Sequence, residues 1–215
     1  CNPNLVIMEA LKAATLRLPI NKSLGYAYLV AFKGEPTLII GYKGLVQLAM
    51  NTGQYRYLNA GPVPAGSMVS EDFVSGRVEI APGETKGEPM GYFAHFELLS
   101  GFAKTLYLPT EAIVAHAKKY AASWKKPESA WHTHFSDQAT KTMLRKLLSK
   151  WGYLSISTIQ AISLEEEYEN VLKLIINLED LLSHPEKVLK VISTELIELK
   201  AKYGDERRTK VFKMD

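Results

Sequence analysis

The side chains best placed to do chemistry in this sequence are cations, and they cluster near the middle of the chain. Residues 101–151 hold nine Lys and Arg against three Asp and Glu, a net charge of +6, whereas the whole 215-residue chain carries +3. Such a local concentration of positive charge favours a polyanionic ligand more strongly than the total charge does. We therefore expect these side chains to hold a linear anion, and a nucleic-acid backbone fits best.

Ser136–Trp151 is the segment that would present this charge. Read as a helix, it places Lys141 and Arg145 on one stripe, with Lys146 and Lys150 on a neighbouring one. Apolar residues recur at spacings of three and four and predict a buried face made of Met143, Leu144, Leu147, Leu148 and Trp151. A helix that is anchored on one side and cationic on the other keeps its charge in fixed positions.

A second candidate contact lies where Gly41–Ala49 opens a helix directly after a strand. Lys43 and the backbone N–H groups at the helix start could hold a phosphate, while Gly41 and Gly44 would allow its close approach. The alternative is a tight strand-to-helix turn with a solvated lysine. The Gly-x4-Gly-Lys-Ser/Thr pattern of a nucleotide-binding loop is absent, so both interpretations stay open.

Aromatic side chains accompany the cations and indicate stacking on nucleic-acid bases. Tyr120 and Trp124 are the best placed, because they lie beside four lysines: Lys118, Lys119, Lys125 and Lys126. Stacking a base on an aromatic ring is worth about 1–3 kcal/mol and is indifferent to sequence. Most aromatic residues of the predicted strands are expected in the core instead.

Catalytic and metal-binding patterns are weak by comparison. His132 and His134 form a His-x-His pair, but no nearby cysteine or suitably spaced carboxylate completes a zinc ligand set. The sequence also lacks a Gly-x-Ser-x-Gly elbow and a nuclease-like pairing of carboxylates. We therefore predict a binding protein rather than an enzyme, with no cofactor and no resident metal.

The elements that must position these side chains form an α+β pattern, an antiparallel β-meander packed with helices. Helical periodicity and helix-ending residues predict four helices, at Leu5–Leu18, Tyr42–Thr52, Thr110–Ala121 (with Thr110 as N-cap) and Ser136–Trp151. β-rich runs predict strands at Tyr26–Phe32, Thr37–Gly41, Gln54–Asn59, Asp72–Val74, Arg77–Ile80, Gly91–Leu99 and Phe102–Leu108. Lys33-Gly34, Ser75-Gly76 and Ser100-Gly101 are expected as hairpin turns, and Ser123–Thr133 as an irregular connection.

A change of pattern at Ser163 predicts a second domain. The first domain would cover residues 1–162, and residues 163–215 would form an α-helical hairpin whose heptad stripe is interrupted at Ser183-His184-Pro185-Glu186. Cys1 is the single cysteine, so an intrachain disulfide is impossible, and we expect a bacterial cytoplasmic location. The first residue is not Met, which leads us to expect a missing upstream segment. No apolar run is long enough to predict a membrane partner.

Several of these segments together resemble the core of RecT-type phage single-strand annealing proteins, over about residues 3–162. The resemblance is carried by Leu18-Pro19-Ile20-Asn21, Leu24-Gly25-Tyr26-Ala27-Tyr28, Gly41-Tyr42-Lys43-Gly44-Leu45-Val46-Gln47, Gly91-Tyr92-Phe93-Ala94 and the block from Ala139-Thr140-Lys141-Thr142 to Lys150-Trp151-Gly152. The motifs stand in the family's order.

The resemblance implies a recombination protein that binds single-stranded DNA and anneals it to a complementary strand without ATP. Such proteins form homo-oligomeric rings or helical filaments, hold the annealed duplex, and work beside an exonuclease and a host single-strand binding protein. DNA would lie in a basic groove with its bases exposed. The implied backbone contacts are Lys43, Lys104, Lys118, Lys119, Lys141, Arg145 and Lys150, with Tyr42, Gln47, Tyr55 and Trp124 as neighbouring contacts or packing residues.

Residues 164–209 resemble a different family, the gyrase-like type II topoisomerases of bacteria. The similarity is to the coiled-coil region of their A subunit. Pro185-Glu186-Lys187-Val188-Leu189 and Tyr203-Gly204-Asp205-Glu206-Arg207 carry this resemblance. The catalytic tyrosine and DNA-gate domain of that family are absent, so strand cleavage is not implied. The chain would be a fusion. Alternatives are a helical-hairpin oligomerisation module or topoisomerase fragment on a DNA-binding core, an RNA-binding protein, or a nuclease.

Overall fold

The computed structural model describes residues 2–32, 34–84, 86–156, 158–160 and 162–163, with residues 175, 180, 183 and 184 beyond them. The chain divides into two compact units, Cys1–Glu169 and Asn170–Asp215. In the second unit the Ser183 hydroxyl donates a hydrogen bond to the Asp180 carbonyl over 3.0 Å. The predicted helical hairpin falls almost entirely outside the described residues, so the hairpin and its boundary at residue 163 stay predictions.

The described part of the first unit contains seven strands, five helices and further helical residues at 156, 158–160 and 162–163, and it is an α+β structure, which confirms the predicted fold class. The helices are α1 (Pro3–Thr15), α2 (Tyr42–Met50), α3 (Thr110–Tyr120), α4 (Ala130–Thr133) and α5 (Phe135–Trp151). The strands are β1 (Ala27–Phe32), β2 (Glu35–Ile40), β3 (Tyr55–Val63), β4 (Met68–Asp72), β5 (Arg77–Ala81), β6 (Gly91–Leu98) and β7 (Ala103–Pro109).

The strands form three antiparallel sheets rather than one continuous meander. The sheet orders are β1-β2, β3-β6-β7 and β4-β5. All three predicted hairpins are present, and Gly34, Gly76 and Gly101 turn them with φ of +89°, +64° and +87°. The division arises because β3 pairs directly with β6, so the β4–β5 hairpin is an excursion between two neighbouring strands.

The long helix α5 organises the core. It contacts all three strands of the β3-β6-β7 sheet as well as α2 and α4. Its buried face is made of Ala139, Met143, Leu144, Leu147 and Leu148, each at most 1% exposed. The predicted helix and four of the five residues of its predicted buried face are confirmed, and the face packs with the sheet residues Tyr92, Ala94 and Phe96 in one cluster.

The fifth residue of the predicted buried face, Trp151, is a correction. It is 39% exposed, although its spacing from Leu147 and Leu148 is in phase with the buried stripe. The reason is local: at this end of the core the hydroxyl of the buried Tyr55 lies beside Gly152 and donates a hydrogen bond to the Tyr153 carbonyl, so Tyr55 rather than Trp151 fills the end of the core.

Two smaller predictions are also corrected. The connection predicted to be irregular contains α4, which begins because the Ser129 hydroxyl accepts a hydrogen bond from the Trp131 N–H over 3.3 Å. Thr110 is the first residue of α3 rather than its N-cap, which is Pro109. The Thr110 hydroxyl instead donates to the Pro89 carbonyl over 2.7 Å and ties the start of α3 to the preceding loop.

Candidate nucleic-acid interface

The C-terminal end of α5 carries an exposed aromatic ring close to two cations. The Nζ atoms of Lys104 and Lys150 lie 5.1 and 5.3 Å from the centre of the Trp151 ring. Both distances are within the range of cation–π attraction, which holds the two ammonium groups near the indole. An exposed indole with ammonium groups close to it can contact a base while the cations contact nearby phosphates.

The sheet places Lys104 at this ring. Lys104 lies opposite the buried Phe96 in the β6–β7 register, and opposed residues point to the same face of an antiparallel pair. β7 is an edge strand that contacts α5, so a long side chain there can reach the end of the helix. The Lys104 ammonium also donates a hydrogen bond to the Gly76 carbonyl over 2.8 Å and so stabilises the β4–β5 turn.

The glycines at the start of α2 have a structural explanation. A Cβ on Gly41 would lie 2.2 Å from the Gly25 carbonyl oxygen, and one on Gly44 would lie 2.1 Å from the Tyr26 carbonyl oxygen. The Gly41 N–H donates to the same Tyr26 carbonyl over 2.8 Å. The close approach is therefore to the chain's own backbone, as in the tight-turn alternative. Lys43 is exposed on the first turn of α2, and its phosphate contact stays a prediction.

Three predicted neighbouring contacts are packing or helix-surface residues. Tyr55 is 6% exposed, and its hydroxyl donates to the Tyr153 carbonyl over 3.0 Å. Burial raises the pKa of Tyr55 to about 12 and also raises the pKa of the half-buried Tyr42. Gln47 donates from Nε2 to the Asn51 side chain over 2.8 Å within the last turn of α2. Of the two roles predicted for Tyr55, packing is the one its burial supports.

The stripe that carries Lys141 and Arg145 is partly covered. An Nη atom of Arg145 donates to the Ile162 carbonyl over 3.0 Å, and Ile162 is itself 3% exposed. Both cations are half-buried, whereas Lys150 is exposed at the helix end. Arg145 therefore has a structural partner beyond α5, which the sequence did not indicate because the two residues belong to different elements.

The end of α3 holds another cation beside an aromatic ring. Lys118 and Lys119 are exposed, and the Lys119 Nζ lies 5.2 Å from the centre of the Tyr120 ring. Tyr120 is 40% exposed, and the His116 ring lies 4.7 Å from it. This pair resembles the group at Trp151 in composition, with one lysine in place of two.

Trp124 belongs to an aromatic cluster. Its ring centre lies 6.3 Å from that of Trp131 and 4.7 Å from that of His132, and the His132 Nε2 lies 2.7 Å from the Trp124 carbonyl oxygen. Trp131 continues the contact to Phe135 at the start of α5. These neighbours favour a packing role for the half-buried Trp124. Within the described ranges, no three His, Cys, Asp or Glu side chains are grouped as metal ligands would be.

The fold gathers most of the predicted residues around α5. Lys141, Arg145 and Lys150 lie on it, while Tyr42, Lys43, Gln47, Tyr55 and Lys104 lie on α2, β3 and β7, which it contacts. Lys118 and Lys119 end α3, which contacts β6 and β7. Trp151 is the residue whose exposure the sequence analysis did not predict. The available signal was its position between Lys150 and Gly152, because a helix ends at such a glycine and its buried face can end with it.

The comparisons with known proteins cover this whole region. The sequence model of the RecT family matches residues 1–174. Uncharacterized protein YqaK of Bacillus subtilis (strain 168) is 38% identical over 167 residues, which are 77% of this chain and 57% of that protein. Protein RecT of Escherichia coli (strain K12) is 28% identical over 177 residues, 78% of this chain and 64% of that protein. The chain thus spans less than two thirds of either relative.

The DNA gyrase A chains of several bacteria are also similar, most of them over a shorter stretch and one over 173 residues at 25% identity. The DNA gyrase A chain of Borrelia hermsii (strain HS1 / DAH) is 45% identical over 56 residues, which are 26% of this chain and 7% of that protein. This similarity agrees with the gyrase-like resemblance noted in the sequence. No helix within the described part of the chain has both the length and the apolar character that crossing a bilayer requires.

Proposed function

The chain belongs to the RecT family, and from that premise we propose that it binds single-stranded DNA and anneals complementary strands without ATP, as an oligomer. The observation that carries the proposal is the exposed Trp151 ring, with the ammonium groups of Lys104 and Lys150 at 5.1 and 5.3 Å from its centre. The three side chains form an aromatic and cationic surface at the C-terminal end of α5, the helix that contacts the elements of several other predicted contacts.

Charge neutralisation is the physical basis of the proposed annealing. Two strands repel each other through their phosphates, and lysines that neutralise one strand lower the barrier to its pairing with another. A backbone held by cations leaves its base edges accessible for pairing. Because stacking and phosphate contact are both indifferent to sequence, any complementary pair could be annealed.

The remaining cations extend the proposed path. We include Lys43, Lys118, Lys119 and Lys141 as further backbone contacts, because each lies on an element joined to α5 or to its sheet. Arg145 stays in the path, although its bond to the Ile162 carbonyl gives it a structural role as well. A protein of this activity needs single strands as substrate, so an exonuclease and a host single-strand binding protein are the proposed partners.

Replacing Lys104 and Lys150 by Ala should weaken binding of all oligonucleotides about equally. It should also flatten the log–log salt dependence of affinity by about 0.7 for each phosphate of a single strand that the protein no longer neutralises. Trp151→Ala should reduce affinity by about 1–3 kcal/mol because base stacking is removed, and Trp151→Phe by less. Fluorescence anisotropy of labelled oligonucleotides at several salt concentrations measures both effects, with complementary-strand quenching as the annealing assay.

The matched control is Lys86→Ala, which removes an exposed lysine from the loop between β5 and β6. Lys150→Ala alone is the cleaner single variant, because Lys104→Ala also removes the donor to the Gly76 carbonyl. If the Lys104/Lys150 double variant and Lys86→Ala both show the same salt dependence of affinity as the unaltered chain, this surface is excluded as the DNA contact.

A further inference from the structure

The β4–β5 hairpin ends in two fully exposed apolar side chains. Phe73 is 97% exposed and Val74 is 93% exposed. Exposed apolar groups of this size that protrude together commonly mark a protein contact. The backbone of the same turn is held by hydrogen bonds.

Hydrogen bonds fix this tip in place. The Asp72 carboxylate accepts from the Val74 N–H over 2.9 Å, the Ser75 N–H over 3.3 Å and the Ser75 hydroxyl over 2.8 Å. From the other side, the Lys104 ammonium donates to the Gly76 carbonyl. The tip is held before any partner arrives, which reduces the conformational entropy that docking would cost.

The N-terminal helix α1 offers an apolar face of matching character. Ile7, Met8 and Leu11 are 57%, 58% and 61% exposed, and their i, i+1, i+4 spacing places them on one face. The opposite side of α1 is anchored, because Ala13 is buried and the Glu9 carboxylate accepts a hydrogen bond from the Leu38 N–H of β2 over 2.8 Å. The apolar face is therefore held outward.

The charges around the two surfaces are complementary. Glu71 and Asp72 are exposed directly beside the tip, while Arg77 is engaged by Glu79 over 2.8 Å. Among residues 2–32 the sole carboxylate is Glu9, which pairs with Lys12, so the net charge of +2 is carried by Arg17 and Lys22. The hairpin is thus an apolar tip with acidic flanks, and α1 is an apolar face in a basic segment.

We propose that the β4–β5 tip of one copy docks on the exposed face of α1 of a second copy. Phe73 and Val74 would cover Ile7, Met8 and Leu11, with Glu71 and Asp72 facing the cations of the α1 segment. The contact uses different surfaces on the two copies, so it repeats head to tail and builds a ring or a helical filament according to whether the rotation closes. It rests on the proposed function only in assuming that the active form is an oligomer.

Pairing each surface with itself is less favourable. A tip-to-tip contact would bring Glu71 and Asp72 of both copies together, and an α1-to-α1 contact would bring two basic segments together, because Glu9 compensates Lys12 but not Arg17 or Lys22. Like charges at an interface disfavour association, whereas opposite charges steer it and set its register. The charge pattern therefore selects the head-to-tail arrangement.

Cysteine pairs test the contact in the full chain. Cys1→Ser first removes the single native thiol. Val74→Cys and Met8→Cys are then made in separate chains, mixed, and treated with a short bis-maleimide. We expect dimeric cross-links in the mixture and in neither variant alone. A chain that carries both substitutions should give a ladder of higher species. Leu99→Cys, at the exposed turn between β6 and β7, is the matched control and should not cross-link to Met8→Cys.

A second measurement does not depend on cross-linking. Phe73→Ser together with Val74→Ser should raise the protein concentration for half-assembly at least about tenfold in mass photometry, because the apolar area that docking would bury is removed. Normal assembly of this variant, or cross-links no stronger than those of Leu99→Cys, overturns the proposed contact. If the proposed contact is overturned but the unaltered chain anneals complementary strands, the proposed function stands. If cross-links form as expected but the unaltered chain fails to anneal DNA, the function fails and the contact stands.

Discussion

At the scale of single residues, burial decides what a polar side chain does. The family resemblance implied a DNA-backbone contact for Arg145, and either a neighbouring contact or a packing role for Tyr55 and Trp124. Tyr55 is enclosed by the core and bonds to the Tyr153 carbonyl, Trp124 packs on neighbouring rings, and Arg145 donates to the Ile162 carbonyl. Each is engaged by a residue that sequence reasoning had not linked to it.

Tyr55 makes this testable through its ionisation. Burial raises its pKa from the ordinary value of 10 to about 12, so the unfolded chain loses the phenolic proton first as pH rises. The contribution to folding stability is therefore complete below pH 10 and disappears between pH 10 and 12. Tyr55→Phe should abolish this part of the alkaline loss, and at neutral pH should cost about 1 kcal/mol for the missing hydrogen bond.

Urea unfolding at a series of pH values measures both effects on Tyr55. Tyr57→Phe is the control, because Tyr57 lies two residues away on β3 and is 61% exposed. An alkaline transition that is identical in the unaltered chain and in Tyr55→Phe would contradict the assignment.

At the scale of elements, the two sides of α5 have different roles: one packs in the core, and the other is proposed to contact DNA. One side is buried against the β3-β6-β7 sheet and α2, and the other carries cations. Lys104 connects this helix to the β4–β5 hairpin, since one ammonium group faces Trp151 and bonds to Gly76. The aromatic and cationic surface and the exposed tip are thus joined through a single side chain.

Leu144→Ala should lower the free energy of unfolding by about 2–5 kcal/mol, because the side chain is fully buried and its truncation leaves a cavity. Affinity for single-stranded DNA should be preserved at temperatures where the variant is folded. Ser149→Ala, on the exposed side of the same helix, should leave stability within about 0.5 kcal/mol. Chemical denaturation followed by circular dichroism, with anisotropy titrations at low temperature, checks both expectations. A Leu144→Ala protein as stable as Ser149→Ala would show that this face is not the core.

At the scale of the whole molecule, the first compact unit includes the described residues that directly follow α5. The unit runs to Glu169, and Thr158 and Ile162 are buried within it. The family match likewise continues to residue 174. Thr158 and Ile162, which follow α5, therefore belong to the core of the first unit.

Two truncations test this boundary. A chain that ends at Glu169 should unfold cooperatively with a midpoint close to that of the first transition of the full chain. A chain that ends at Leu154 should be markedly less stable, because it lacks Thr158, Ile162 and the carbonyl that receives Arg145. Scanning calorimetry of the three proteins measures the difference. Equal stability of the two truncated chains would show that residues 155–169 contribute nothing to the core.

The sequence alone determined the features that depend on neighbours a few residues apart. The 3.6-residue periodicity of α5 and the turn glycines of three hairpins are local signals, and the structure confirms both. The concentration of charge between residues 101 and 151 is likewise a property of composition, and it predicted the region in which the exposed indole and its lysines lie.

Only the tertiary structure decided how distant segments meet. The β3–β6 pairing divides the expected meander into three sheets, and Gly152 rather than Trp151 lies against Tyr55. Lys104 reaches Trp151 because β7 is an edge strand against α5, which no local pattern records. Periodicity shows which face of a helix is apolar, but the extent of the partner surface determines where burial stops. For the helix at residues 135–151, burial stops at Leu148, and Trp151 beyond it is exposed, with two ammonium groups close to its ring.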